Sequence, residues 1–131
     1  MTEIADFLRA RIAERRALAE AASPGPWHAN EEHDEVLAVD GITVADGFAL
    51  SGRQLRATVD HIAANDPAAV IADCDAKLFM LAGCERALAA SEEEADAPAS
   101  MGARDVVHHL LRYFAAPFAR HPDHKGEEWA P

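Results

Sequence analysis

Residues 58–88 read TVDHIAANDPAAVIADCDAKLFMLAGCERAL, and this stretch decides the fold because it holds a helix stop followed at once by a helix start. Asn65 is suited to close one helix. Asp66 is suited to cap the next, its carboxylate accepting from free N–H groups, and Pro67 fits a first turn where no donor is needed. Beyond Pro67, Val70, Cys74, Leu78, Leu81, Cys84 or Glu85, and Leu88 recur at steps of three and four. That spacing predicts an apolar stripe on a helix over 67–89 of about six turns, the longest apolar surface in the chain. The other elements are expected to pack on it.

Working outward, Ile4, Phe7, Leu8, Ile12 and Leu18 form one stripe of a first helix over Glu3–Ala21, capped by Thr2. Arg9, Arg11, Arg15 and Arg16 lie on that helix and are four of the 12 Lys and Arg. In so acidic a chain they are expected to pair with carboxylates. Ser23-Pro24-Gly25-Pro26-Trp27 ends the helix, since two prolines around a glycine cannot continue it. Val36–Val39 and Ile42–Ala45 flank Asp40-Gly41, which predicts a hairpin with a two-residue type I′ turn and positive φ at both turn residues. Trp27–Glu31 is expected to add a third strand through the polar turn His28–Asp34. A short helix over Arg53–Ala64 places Leu55, Val59 and Ile62 on one face. After the long helix, residues 91–100 read as a mobile acidic linker. A last helix over Gly102–Ala116 carries Val107, Leu110, Leu111, Phe114 and Phe118 on its apolar side.

The fold class expected is therefore α+β in one domain, 1–131. About four helices pack around one long central helix, with a two- or three-stranded antiparallel sheet inserted after the first. The polar tail His121–Pro131 carries Trp129, and burial of so large an apolar side chain predicts that the tail docks on the body.

Of the 131 residues, half are apolar and only 6% aromatic, with a formal net charge of −11. A core of Ala, Leu, Val and Ile is expected, and the negative balance argues against direct binding to nucleic acid or anionic membranes. It favours a basic protein partner or a solubilising surface. Cys74 and Cys84 sit ten residues apart on one helix, about 15 Å along its axis. They read as reduced core thiols of a cytoplasmic protein. No early apolar run has the length of a signal peptide or a membrane span.

Three blocks carry a resemblance. Ala22–Trp27 resembles a motif A-(S/T)-P-G-P-W. Asp60–Val70 resembles (H/F)-I-A-x-x-(D/N)-P-x-x-V. His121-Pro122-Asp123 followed by Glu127–Pro131 resembles an H-P-D…E-E-W-x-P ending. In this order the blocks resemble a family of small acidic actinomycete and actinophage proteins with no assigned function. The first two are also loosely similar to Ea22-like phage accessory proteins. The resemblance implies no activity. Relatives of this kind carry cysteines near 92–100, which this chain lacks, so no zinc site is implied there.

Site chemistry rests on the seven histidines. His121 and His124 are three residues apart with Asp123 between. If the tail folds back on the Asn65 junction, His61 would join them as a three-histidine site for zinc or another divalent metal, the ligand set of a small metal-dependent hydrolase or metal-binding module. The plainer account has His61 packing at a helix end and the tail histidines in solvent. His108 and His109 point about 100° apart and cannot share a site. Phosphate loops, nucleophile elbows and Cys-x-x-Cys pairs are absent from the sequence, as are the paired acidic helices of a MazG-like pyrophosphatase. The functional surface expected is a polar cluster of Asp60, His61, His121 and Asp123 beside Trp27 and Trp129. The favoured function is a non-enzymatic accessory protein, with phage or prophage origin as its setting. It would use its acidic surface, and no cofactor, to bind a host or regulatory protein, with imitation of nucleic-acid charge as one means of doing so.

Overall fold

The computed structural model describes residues 2–94, 96 and 98–131. Their order is α1 (Glu3–Ala21), β1 (His28–Ala29), β2 (Glu35–Leu37), β3 (Thr43–Asp46), α2 (Gly52–Ala64), α3 (Pro67–Glu93) and α4 (Pro98–Ala115), then 3-10 turns at Ala116–Phe118 and Gly126–Trp129. This is the expected α+β class, with the small sheet placed after the first helix. The described residues gather into two compact units, Met1–Glu14 with Asp75–Pro131, and Arg15–Cys74. α1 and α3 each contribute to both. The expected acidic linker over 91–100 includes Ala95 and Ala97, which lie outside the described residues; α3 continues to Glu93 and α4 already begins at Pro98.

In the unit Arg15–Cys74 the sheet order is β1-β2-β3, antiparallel throughout. α2 lies on β1 and β2. Val36 from the middle strand, Ala38, Val59 from α2 and Cys74 from α3 are buried. α2 starts at Ser51, and Asn65 closes it by donating its backbone N–H to Ile62 O at 3.1 Å. Asn30 organises the β1–β2 turn. Its Oδ1 accepts from the backbone N–H of Asp34 at 3.0 Å and of Glu35 at 3.1 Å.

The hairpin turn differs from the expected type I′ pair. Only Gly41 has a positive φ, +80°, and Asp40 does not. Gly41 N–H donates to Ala38 O and Ala38 N–H to Ile42 O, each at 2.9 Å, so three residues, Val39–Gly41, form the loop. The Asp40 side chain explains the choice: its Oδ1 accepts from Ile42 N–H at 3.1 Å. This is a turn closed by a left-handed glycine, the commonest three-residue alternative. A register shift between Val36 and Leu37 then adds one residue to β3.

In the other unit, Ile4, Ala5, Phe7, Leu8 and Ile12 of α1, Leu81, Cys84 and Leu88 of α3, and Val107, Leu111 and Ala115 of α4 are buried. Of the two side chains competing for one stripe position, Cys84 takes the core and Glu85 takes the Arg9 guanidinium. Burial, with the nearby Glu85 carboxylate, pushes the Cys84 thiol pKa up. Two expected core residues are open to solvent: Leu18 is 75% and Leu110 42% exposed. On α1 Leu18 stands within about 20° of buried Phe7 around the helix axis, so its exposure is set by what packs there and not by its place on the stripe. On α4 the row Val107–Leu111–Ala115 is complete without Leu110.

Replacing Gly41 with Val should lower stability by about 1–2 kcal/mol, because a β-branched residue is forced into left-handed backbone. Asp40→Asn, which keeps a side-chain acceptor, should change little. Urea denaturation of the two variants checks the pair.

Candidate functional site

The sequence blocks at 22–27 and 60–70 meet at Asp66, in the unit Arg15–Cys74. Asp66 is 8% exposed. Its Oδ1 accepts from Ala69 N–H at 2.8 Å, which caps α3, and its Oδ2 accepts from Trp27 N–H at 3.0 Å. One carboxylate therefore starts the long helix and holds the Pro-Gly-Pro-Trp turn. Gly25 is the residue that permits this. A Cβ there would lie 2.7 Å from Asp66 Oδ2 and 3.2 Å from its Cγ. Trp27 in turn donates its indole N–H to Ser23 O at 2.8 Å. Its ring borders a shallow groove of about 230 Å³ with Leu18, Ala22, Pro67 and Val70.

Asp60 and His61 are on the last turns of α2 in the same unit. Asp60 Oδ1 lies 2.6 Å from His33 Nδ1, and His33 has the unusual φ of +56° that aims the β1–β2 turn at α2. His61 is exposed, and its backbone carbonyl accepts from Asn65 Nδ2 at 2.9 Å. The described partner of Asp60 is therefore His33, from the polar turn, and not its neighbour His61.

His121, Asp123 and Trp129 belong to the other unit, where the chain's last residues lie against α1. Trp129 is 7% exposed, with its ring centroid 5.1 Å from that of Phe7. His121, His124 and Phe118 also stand edge-on to Phe7, at 5.7, 5.8 and 6.3 Å between centroids. Arg11 covers Phe7, its guanidinium carbon 5.3 Å from the ring centre. The receptors of the tail within this unit are thus Phe7 and Arg11, with Glu3 paired to Lys125. The Glu3 carboxylate holds the Lys125 ammonium pKa above its ordinary value.

Hydrogen bonding fixes the roles of the two tail imidazoles. His121 Nδ1 lies 3.1 Å from Arg11 Nη1 and 3.1 Å from the backbone N of Asp123. Both neighbours are donors, so Nδ1 is the acceptor and the ring proton is on Nε2. His124 Nδ1 likewise accepts from Gly126 N–H at 3.0 Å, and its Nε2 is buried without a hydrogen-bond partner. Neither Nδ1 is free for a metal, and His124 Nε2 is closed in. Among the described residues no group of three or more His, Cys, Asp or Glu side chains is placed to hold a metal ion.

Trp27, Asp60 and His61 are described in one unit, and His121, Asp123 and Trp129 in the other. Reading the sequence missed Phe7 and Arg11 as receptors, and missed that Gly25 is demanded by a carboxylate. The Gly25 signal was present, a glycine held between two prolines. Phe7 carried none, because one more aromatic on an apolar stripe looks like any core residue.

A small acidic α+β protein with a carboxylate-locked turn and an aromatic-anchored C-terminal segment is thereby defined. The chain belongs to the family of unknown function DUF6221, whose profile matches residues 1–131. No curated protein and no solved structure matches the chain. Among the described residues, no helix is long and apolar enough to cross a membrane.

Asp66→Asn should lose about 1–3 kcal/mol although it is nearly isosteric, because one of two acceptor positions becomes an N–H donor facing another donor. Gly25→Ala should destabilise the fold by the same route and shift Trp27 fluorescence. Wild-type thermal midpoints in both variants would dismiss the lock. In the other unit, Trp129→Ala should cost about 3 kcal/mol as a large-to-small change at a buried aromatic. Calorimetry on that variant measures it.

Proposed function

We propose that this chain is a non-catalytic accessory protein that binds a host or regulatory protein through its acidic surface. The observation that carries the reading is the distribution of charge in the unit Arg15–Cys74. Between Arg16 and Arg53 there is no Lys or Arg, while Glu20, Glu31, Glu32, Asp34, Glu35, Asp40 and Asp46 fall in that interval. Glu20 is held by Arg16, and the other six have no Lys or Arg partner among the described residues. Uncompensated like charge destabilises a compact unit by self-repulsion, and a basic partner relieves it. Complementary potentials also steer encounter and exclude wrong partners. The His33–Asp60 pair, at 2.6 Å, has the geometry of an orienting contact. The resemblance to actinophage proteins supports a phage or prophage setting for such a role.

Affinity capture on the full chain from an actinomycete lysate tests the reading. A single basic protein should be retained in stoichiometric amount and released as ionic strength rises. The combined variant Glu31→Gln, Glu32→Gln, Glu35→Gln and Asp46→Asn should not retain it. Retention indifferent to both salt and the variant would refute the acidic-surface reading. Stoichiometric zinc or manganese lost on His121→Ala, with a chelator-sensitive hydrolysis, would replace it with a metal-dependent one.

A further inference from the structure

β3 is an outer strand of the sheet. α2 packs on β1 and β2, and the strand that β3 pairs with is β2. The far edge of β3 therefore presents backbone N–H and C=O groups that no ladder satisfies. Natural edges are blunted by Lys, Pro, shortness or bulges; β3 is short and carries the extra residue of the register shift, and residues 42–48 contain no Lys or Pro. The two ends of the edge instead carry open apolar side chains: Ile42 is 63% and Phe48 90% exposed. The extended part of the edge, Thr43–Asp46, spans on the order of 13 Å, a length that one short partner strand covers.

Carboxylates bracket this edge. Asp40 precedes β3 and Asp46 ends it. Gly47 N–H donates to Asp34 O at 2.9 Å, which sets the Phe48 loop beside the turn that carries Glu31 and Glu32. The loop itself closes through Leu50 N–H to Gly47 O at 2.8 Å, and that tight turn puts Phe48 at its corner, pointing away from the core.

We propose that the outer edge of β3 is a docking strand for an extended, Lys- and Arg-bearing segment of a partner protein. The added strand satisfies the open backbone groups. Its cations face Asp40, Asp46 and the turn carboxylates, and its apolar side chains cover Ile42 and Phe48. An acidic or neutral strand would find the same backbone but meet carboxylates without counter-charge. This inference rests on the proposed function and names the partner's chemistry and the place it binds.

The test titrates the ¹⁵N-labelled full chain with a capped peptide of alternating Lys and Val, using the matching Glu and Val peptide as control. The basic peptide should shift amides at 42–48 and slow hydrogen exchange across 43–46, and the acidic one should do neither. Phe48→Ser removes an exposed side chain, leaves the core alone, and should weaken binding about fivefold. Binding of the basic peptide with shifts confined to 31–35 and unslowed exchange in β3 would overturn the edge and leave the acidic-surface reading standing. Absence of salt-dependent binding anywhere would remove both. Concentration-dependent self-association that protects β3 without peptide would assign the edge to a second copy and overturn the proposal.

Discussion

The Asp66 carboxylate is a single group with two structural duties, and the unit Arg15–Cys74 is arranged around satisfying both. A buried carboxylate must be fully hydrogen-bonded, or its desolvation would outweigh what it contributes. One oxygen meets that demand by capping α3, the other by holding Trp27 N–H. Hydrogen bonds to a carboxylate are stronger than those to a neutral acceptor. The chain must then approach Asp66 so closely at residue 25 that no side chain fits. The prolines on either side restrict the backbone to that approach, and the tryptophan follows where the turn delivers it.

The aromatic side chains of the other unit show a different means of holding a chain end. The chain is poor in aromatics, yet Phe7 is met by Phe118, His121, His124 and Trp129 within one unit. Edge-to-face contacts of this type add to the burial of the rings. Arg11 lies over Phe7 and also reaches His121 and Asp123, so a charge on α1 orients a polar segment far along the sequence. The tail histidines act here as acceptors and packing rings, a structural use of groups that resemble metal ligands when read in sequence.

Both units leave features that stability does not require. In the sheet region six carboxylates have no Lys or Arg partner among the described residues, and Ile42 and Phe48 on either side of β3 are exposed. On α4, Val106 and Tyr113 lie open to solvent on a face separate from the buried row.

Local chemistry is legible along the chain. The Asn65-Asp66-Pro67 junction, the ends of α1 and α2, the identity of α3 and the existence of the hairpin follow from caps, prolines and apolar period, because those signals act over three or four residues. The α+β class follows from their order. What lies on each stripe's margin was decided only by tertiary packing. Phe7 and Leu18 are eleven residues apart on one helix and point in nearly the same direction, yet Phe7 is buried and Leu18 open. The difference is that the C-terminal segment covers one and nothing described covers the other. The turn at Val39–Gly41 was likewise settled by a side-chain bond from Asp40, and the ring nitrogens of His121 and His124 by donors brought to them from elsewhere. Period, caps and turn residues act within a few positions of their own sequence, whereas covering and pairing depend on segments that meet only when the chain has folded.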